Sequence, residues 1–364
     1  MKKVMILLPS LERQGPINVA IEIVRNLNLS KFEVVIVSLD STNNSKTLEE
    51  ELKILGIRVI SLNIASVSEL FFSAKKFFNL VKNEKPDIIH SHGLYPDFLN
   101  ALLKNQAIQK ISTQHNVPQD DYIMTYGKLN GGIKVLIQLW AISRMNTIVV
   151  VSKTIQKRIS KLLPSNIKRR IRVIYNGVTT KKRSVYFVNK RKDRAVVVAV
   201  LEPRKNVGFV VSAVKEINEL DLHILGKGSE RHTLESQAGD NTIFLGKIED
   251  VSKELNEASF FISASKSEGL PLAAIEAMSA GAYLILSDIP QHREIIGNDR
   301  DIGVVFDFNN QNSLESLLKE TLSSSKYVNT DKIIERFEEN FSSEIMSRKY
   351  MDIYDRVNIK GEKD

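Results

Sequence analysis

Short runs of consecutive apolar residues alternate along this chain with stretches in which apolar positions recur every three or four residues. The first kind reads as strands buried on both faces, the second as helices with one covered side. Val4 to Leu8 opens the series, and after a loop from Pro9 to Pro16 the residues Val19, Ala20, Ile23, Val24 and Leu27 mark one helical face. Val34 to Leu39, the end of the Leu52 to Leu62 stretch, Asp87 to His92, Ile111 to Asn116 and Thr147 to Ser152 supply further strands. A helix over 69–82 sets Leu70, Phe71, Ala74, Phe77, Phe78 and Val81 on one side and Lys75, Lys76 and Lys82 on the other. Residues 118–132 carry no clear period and read as a long loop, a class that is often functional. Ile133 to Arg144 is apolar nearly all round, which predicts a buried helix around Trp140, with a membrane-contacting helix as the second reading.

The pattern breaks once. IRVIYNGV (171–178) closes the first series, and residues 179–194, crowded with Lys and Arg, read as a basic linker. A second series opens with the strand Ala195 to Leu201 and runs to Phe306; a last helix, about 341–358, follows. This alternation predicts two Rossmann-like α/β domains, 1–178 and 195–340, facing across a cleft.

One unit of the second series is sharply punctuated. In KSEGLPLAAIEAMSAGAYLILSDIP (266–290), Pro271 suits a first helical turn and Gly281 the left-handed residue past the last, so a helix is expected over about 271–280. The preceding loop carries Glu268 and Gly269 at the carboxyl edge of the sheet, where ligands of open α/β sheets collect. The helix opening presents unpaired N–H groups and partial positive charge, which favours phosphate. Glu268 and Glu276 are separated by roughly 12 Å along the helix axis. That is too far for one acid–base pair and suits the two ends of an elongated ligand.

Composition adds bounds. At 364 residues, 43% hydrophobic and 26% charged, the chain has room for two ordinary domains. It has no cysteine, which excludes disulfides, thiol catalysis and Cys-ligated zinc. MKKVMILLP resembles a signal peptide only until Pro9 and reads better as a first strand. No run approaches the ~18 apolar residues of a membrane span, so a cytoplasmic protein is expected. A net charge of +8 and a pI near 9.3 suggest an anionic partner, for which nucleic acid, anionic lipid and a sugar nucleotide all fit, beside a merely lysine-rich surface. The 69–82 helix likewise has two readings, contact with the inner face of an anionic membrane or a cover for its sheet. His90 and His92 share a strand face, but no third ligand stands near them in sequence, so no metal site is expected.

Glu268, Gly269, Pro271, Glu276, Ala277, Gly281 and the run Ser287 to Pro290 resemble the motif of the retaining glycosyltransferase family 4, which has the GT-B fold. The resemblance implies transfer of a hexosyl group from a nucleotide sugar, most simply a UDP-sugar, to a saccharide or lipid-linked saccharide in cell-surface polysaccharide assembly. It implies catalytic roles for Glu268, His115 and Lys205. The donor-binding set it implies is Gly15, Arg204, Lys205, Gly226, Lys247, Ile248, Glu268, Gly269, Leu270 and Glu276, the last on the ribose. His92 is placed beside the acceptor by the same resemblance, and Tyr122, in the predicted loop, is expected there too. The nucleotide sugar is a co-substrate, and neither cofactor nor metal is implied. Two positions depart from the family pattern: Val200 stands where an arginine is usual, with Arg204 as a nearby cation, and Pro16 follows Gly15 where a second glycine is usual. A nucleotide-sugar-binding protein without transferase activity and an epimerase on the same architecture are the alternatives. No groove-reading motif supports nucleic acid.

Overall fold

The computed structural model describes residues 1–40, 46–64, 70–180, 190–297, 299–323 and 329–357. The apolar runs of the first half form β1 (Lys2–Leu8), β2 (Phe32–Ser38), β3 (Arg58–Ser61), β4 (Ile88–His92), β5 (Gln109–Gln114), β6 (Thr147–Val150) and β7 (Ile171–Val173). Between them run α1 (Gly15–Arg25), α2 (Lys46–Ile54), α3 (Leu70–Glu84), α4 (Leu94–Leu102), α5 (Pro118–Ser143), α6 (Lys153–Ser160) and α7 (Ser165–Lys168). The strands make one parallel sheet in the order β3-β2-β1-β4-β5-β6-β7. Val4 lies opposite both Val34 and Ile88, so the chain reverses its direction of travel across the sheet between β1 and β4. Crevices open outside the carboxyl ends of strands at such a switch point. Right-handed crossovers put α4, α5 and α6 side by side on one face.

Ala74, Phe77 and Val81 of α3 are buried with Met5, Leu7, Val35 and Val37, while Lys75, Lys76 and Lys82 are exposed. This helix therefore covers its sheet; the side chains of Leu70 and Phe71 lie outside the described residues.

The second half repeats the architecture with β8 (Arg191–Val198), β9 (Asp221–Leu225), β10 (Thr242–Gly246), β11 (Ala258–Ser263), β12 (Tyr283–Ser287) and β13 (Gly303–Phe306). Its helices are α8 (Val207–Val214), α9 (Arg231–Gln237), α10 (Ser252–Glu257), α11 (Leu272–Ser279), α12 (Pro290–Ile296), α13 (Gln311–Ser323) and α14 (Thr330–Asn340). The parallel order β10-β9-β8-β11-β12-β13 puts its switch point between β8 and β11. The helix α15 (Ser343–Asp355) then rejoins the first half, where it packs against α1. Two compact units result, Met1–Gly177 with Ser343–Asp364, and Val178–Ser342. Among the described residues no helix is long and apolar enough to cross a membrane.

Four sequence readings need correction. Residues 118–132 are not a loop but most of a helical hairpin: α5 turns at Gly127 (φ 77, ψ 174), and at Gly131 a Cβ would lie 2.4 Å from the Tyr122 carbonyl oxygen, so the arms touch backbone to backbone. Nor is the second arm buried all round, since Ile133 and Leu136 are exposed. The strand expected at Ala195 begins at Arg191, because Arg191 pairs with Asp193 and Asp221, and Arg194 with Glu257, which lets basic residues join the sheet. Of the predicted linker, residues 181–189 lie outside the described residues. Finally, the last helix, expected from about 341, begins at Ser343, after a break from α14 where Val178 N–H bonds the Phe341 carbonyl oxygen at 3.1 Å.

Candidate active site

In the second unit the switch-point loops follow β8 and β11. After β11 the chain turns through residues 264–270 before α11, and Glu268 in this loop is almost wholly buried, its side chain 9% exposed. Burial alone would raise its pKa, but the Lys205 ammonium, a hydrogen bond from Ser265 and the Arg204 charge outweigh burial and hold it below the ordinary carboxylate range. Lys205 Nζ donates to Glu268 Oε1 at 2.5 Å. Arg204 Nη1 donates to the Ser267 carbonyl at 2.7 Å and stands 3.5 Å from Glu268 Oε2. Both cations come from the loop after β8, which is tied to the Glu268 loop by Lys266 N–H bonding the Arg204 carbonyl at 3.0 Å. Val200 is half exposed.

Pro271 is the N-cap of α11, Gly281 has φ +66, and Glu276 lies half-buried one turn inside the helix. Gly269 and Leu270 join Glu268 to this helix start. Gly226 and Gly228 follow β9, and a Cβ on Gly226 would lie 1.8 Å from the Ala199 carbonyl oxygen, and on Gly228 2.3 Å from that of Leu201. The Gly-X-Gly turn therefore lets the loops after β8 and β9 meet backbone to backbone. Lys247 and Ile248 follow β10 at the same carboxyl edge, Lys247 exposed and Ile248 half-buried.

Sequence reading missed the support beneath Glu268. Gln291 Nε2 donates to the Glu268 carbonyl at 2.6 Å, and Ser287 Oγ donates to that of Ser265 at 2.6 Å. His292 Nδ1 lies 2.9 Å from the Ser287 carbonyl, and its Nε2 is buried with no hydrogen-bond partner among the described residues. Burial pushes this imidazole down to about 4, against the opposing pull of Glu268. The signal in the sequence was position: Ser287, already part of the motif run, ends the next strand, and Gln291 and His292 open the helix after it.

In the first unit His92 ends β4 and His115 follows β5, with His92 Nδ1 3.0 Å from His115 Nε2 and the rings stacked at 5.3 Å. Burial lowers both, His115 to about 4, so the two neutral rings share one N–H between them. His90 is turned away from metal binding: Nδ1 meets Tyr354 Oη at 2.7 Å and Nε2 meets Thr113 Oγ1 at 2.8 Å. Among the described residues no group of three His, Asp or Glu side chains is placed to hold a metal ion. Beneath the histidines, Asp97 accepts from Ser91 Oγ at 2.6 Å, Gln114 Nε2 at 2.8 Å and Gln138 Nε2 at 2.6 Å; burial raises its pKa to about 6. Tyr122, on the first arm of α5, points its hydroxyl at Gln138 Oε1, 3.4 Å away. Gly15 is the first residue of α1, followed by Pro16.

Known proteins resemble both halves. A family model described as Glycosyltransferase Family 4 matches residues 14–182, and one described as Glycosyl transferases group 1 matches 178–340. The O-antigen biosynthesis glycosyltransferase WclY of Escherichia coli is 25% identical over 374 residues, with 98% of each chain covered. A second E. coli relative, UDP-Gal:alpha-D-GlcNAc-diphosphoundecaprenol alpha-1,3-galactosyltransferase, is 22% identical over 342 residues, covering 87% of this chain and 85% of its own. Among solved structures, Anabaena HepE in complex with UDP and glucose superposes with a TM-score of 0.81 at 13% identity, covering 98% of this chain and 100% of that one. Likeness at that identity speaks for the fold alone.

Proposed function

This chain belongs to the family 4 glycosyltransferases, and from that premise we propose that it moves a hexosyl group from a UDP-sugar to a saccharide or lipid-linked saccharide with retention at the anomeric carbon. Its place as a glycosyltransferase of polysaccharide biosynthesis is given by the family and its relatives. The observation that carries the finer reading is the buried Glu268 carboxylate gripped by Lys205 and Arg204 at the switch point of the second sheet.

Expelling a nucleoside diphosphate requires stabilising negative charge as it grows on the leaving oxygen. Lys205 and Arg204 are poised cations on one loop, and the start of α11 adds N–H groups and a partial positive charge. In this reading the cations neutralise the diphosphate without a divalent ion. Glu268 faces the sugar, holding hydroxyls and opposing positive charge at the anomeric carbon, while Glu276 holds the ribose. His92 and His115, neutral at pH 7, are the polar groups offered to sugar hydroxyls in the first unit. The lipid-linked acceptor is supported by the galactosyltransferase relative, whose name specifies a diphosphoundecaprenol substrate. HepE, crystallised with UDP and glucose, supports the choice of nucleotide.

A ligand that binds only the folded state raises its melting temperature. In a thermal-shift panel of nucleotide sugars run in EDTA, a UDP-sugar is expected to give the largest rise, and GDP- and CMP-sugars little. A panel in which no UDP-sugar moves the transition would reject this donor.

A further inference from the structure

Fourteen large apolar side chains are exposed among the described residues, and six of them, Ile123, Met124, Tyr126, Leu129, Ile133 and Leu136, fall on the α5 hairpin. Leu129, Ile133 and Leu136, exposed by 79%, 51% and 69%, follow one another at helical spacing on the second arm, and Trp140 continues the row. Val135, Gln138, Ala141 and Ile142 of the same arm are buried. The arm thus carries two apolar faces, one of which covers the domain while the other meets solvent. A contiguous exposed apolar face of this kind marks an interaction surface.

Its surroundings are cationic. Lys134 Nζ lies 4.5 Å from the centre of the Tyr126 ring and 2.9 Å from Tyr95 Oη, its stem lying along the apolar surface. The neighbouring helix α6 exposes Lys153, Lys157 and Arg158 and contains no acidic residue, and Lys161, exposed too, caps its C-terminus. Arg158 is joined to Asp120 of the hairpin through both guanidinium nitrogens, which fixes α6 beside α5. From 118 to 161 seven Lys and Arg stand against two Asp, Asp120 and Asp121, so these 44 residues hold five of the eight net positive charges of the chain.

We infer that the α5 hairpin and α6 form a docking surface for an anionic lipid bilayer, with the Leu129–Ile133–Leu136 row entering the headgroup boundary and the surrounding lysines meeting lipid phosphates. A second copy of this chain would bring like charges face to face, which favours lipid over self-association. The hairpin starts three residues after His115, so docking here brings the carboxyl edge of the first sheet to the membrane. The inference deepens the reading of a lipid-linked acceptor and rests on it for its purpose.

The full chain is floated with vesicles of phosphatidylcholine and phosphatidylglycerol in equal parts and with phosphatidylcholine alone. Trp140, the only tryptophan, reports contact directly by its emission and by quenching from brominated lipid. Flotation with the anionic vesicles is expected to be at least tenfold greater than with neutral ones, to weaken in salt, and to fall at least tenfold in L129S/L136S. Hydrolysis of a UDP-sugar by that variant should stay within twofold of wild type, which also reports that it folds. The inference is overturned if the wild-type chain ignores anionic vesicles, if the double variant floats like wild type, or if light scattering finds a dimer that the variant abolishes. Wild-type protein that floats but never turns over a UDP-sugar would sink the proposed reaction and leave the docking surface standing.

Discussion

Lys205 Nζ and Glu268 Oε1 lie 2.5 Å apart, so the cation proposed to receive a diphosphate is already gripped by the carboxylate proposed to face the sugar. Each removes the charge that would make the other costly to bury. E268Q and K205A are therefore expected to cut transfer at least a hundredfold, the scale on which single electrostatic contacts to a transition state act. K205A should melt lower than E268Q, because it leaves a buried carboxylate short of its nearest cation. Steady-state rates and melting curves measured together check both statements; turnover near wild type in either variant removes that residue from the reaction.

Arg204 reaches the same carboxylate from the neighbouring position, whereas Val200 is half exposed and offers no charge. R204A should weaken UDP-sugar binding about tenfold, close to the ~1.5 kcal/mol of a charge-assisted hydrogen bond. V200R is tolerated for lack of crowding and should restore part of the binding lost in R204A. Calorimetric titration of the single and double variants is the measurement, and an unaffected R204A would leave Lys205 as the sole cation.

At Gly226 any side chain collides with backbone, not with a movable group, since the Ala199 carbonyl oxygen is 1.8 Å from the Cβ position. G226A is expected to destabilise the second unit by at least ~2 kcal/mol, read from urea unfolding, and to misplace the loop that carries Lys205.

Burial holds His90 down at about 3, His115 at about 4 and His292 at about 4. A group whose folded pKa is depressed contributes stability above its unfolded value and loses it as pH falls toward the folded one. That window runs from about pH 6.5 down to about 4 for His115 and His292 and to about 3 for His90, and a shift the size of His115's corresponds to ~3 kcal/mol. Asp97, raised to about 6, acts the other way: its contribution is complete below the unfolded carboxyl pKa and fades as pH rises through 6. Several histidines oppose one carboxyl, so unfolding midpoints in urea should fall steadily between pH 7 and 5. H115Q should flatten that decline, and a flat wild-type profile would contradict the burial of these rings.

The unit around Glu268 was legible because its limits are written in residues with one structural use: Pro271 caps α11 and Gly281 takes a positive φ after it. The α5 hairpin was not, because Gly127, Gly131 and Gly132 read as loop punctuation, and only tertiary contact reveals that Gly131 is small so that two helix arms can touch. Arg191 and Arg194 read as linker because their carboxylate partners, Asp221 and Glu257, are far off in the chain. The Asp97 network was invisible for the same reason: Ser91, Gln114 and Gln138 come from three separate elements, and nothing local signals that they converge.

Tyr350 and Tyr354 of α15 are wholly buried against Thr113 and His90, and the Tyr354 ring meets Phe32 edge-on at 5.8 Å. Residues that follow the second unit in the chain thus complete a layer begun by residues that precede it. On the ribosome the second unit can finish folding while the first still waits with the seat of those two tyrosines open. A fragment cut at Gly177 would inherit the same gap, so halves for separate study are better made by rejoining the flanks than by truncation.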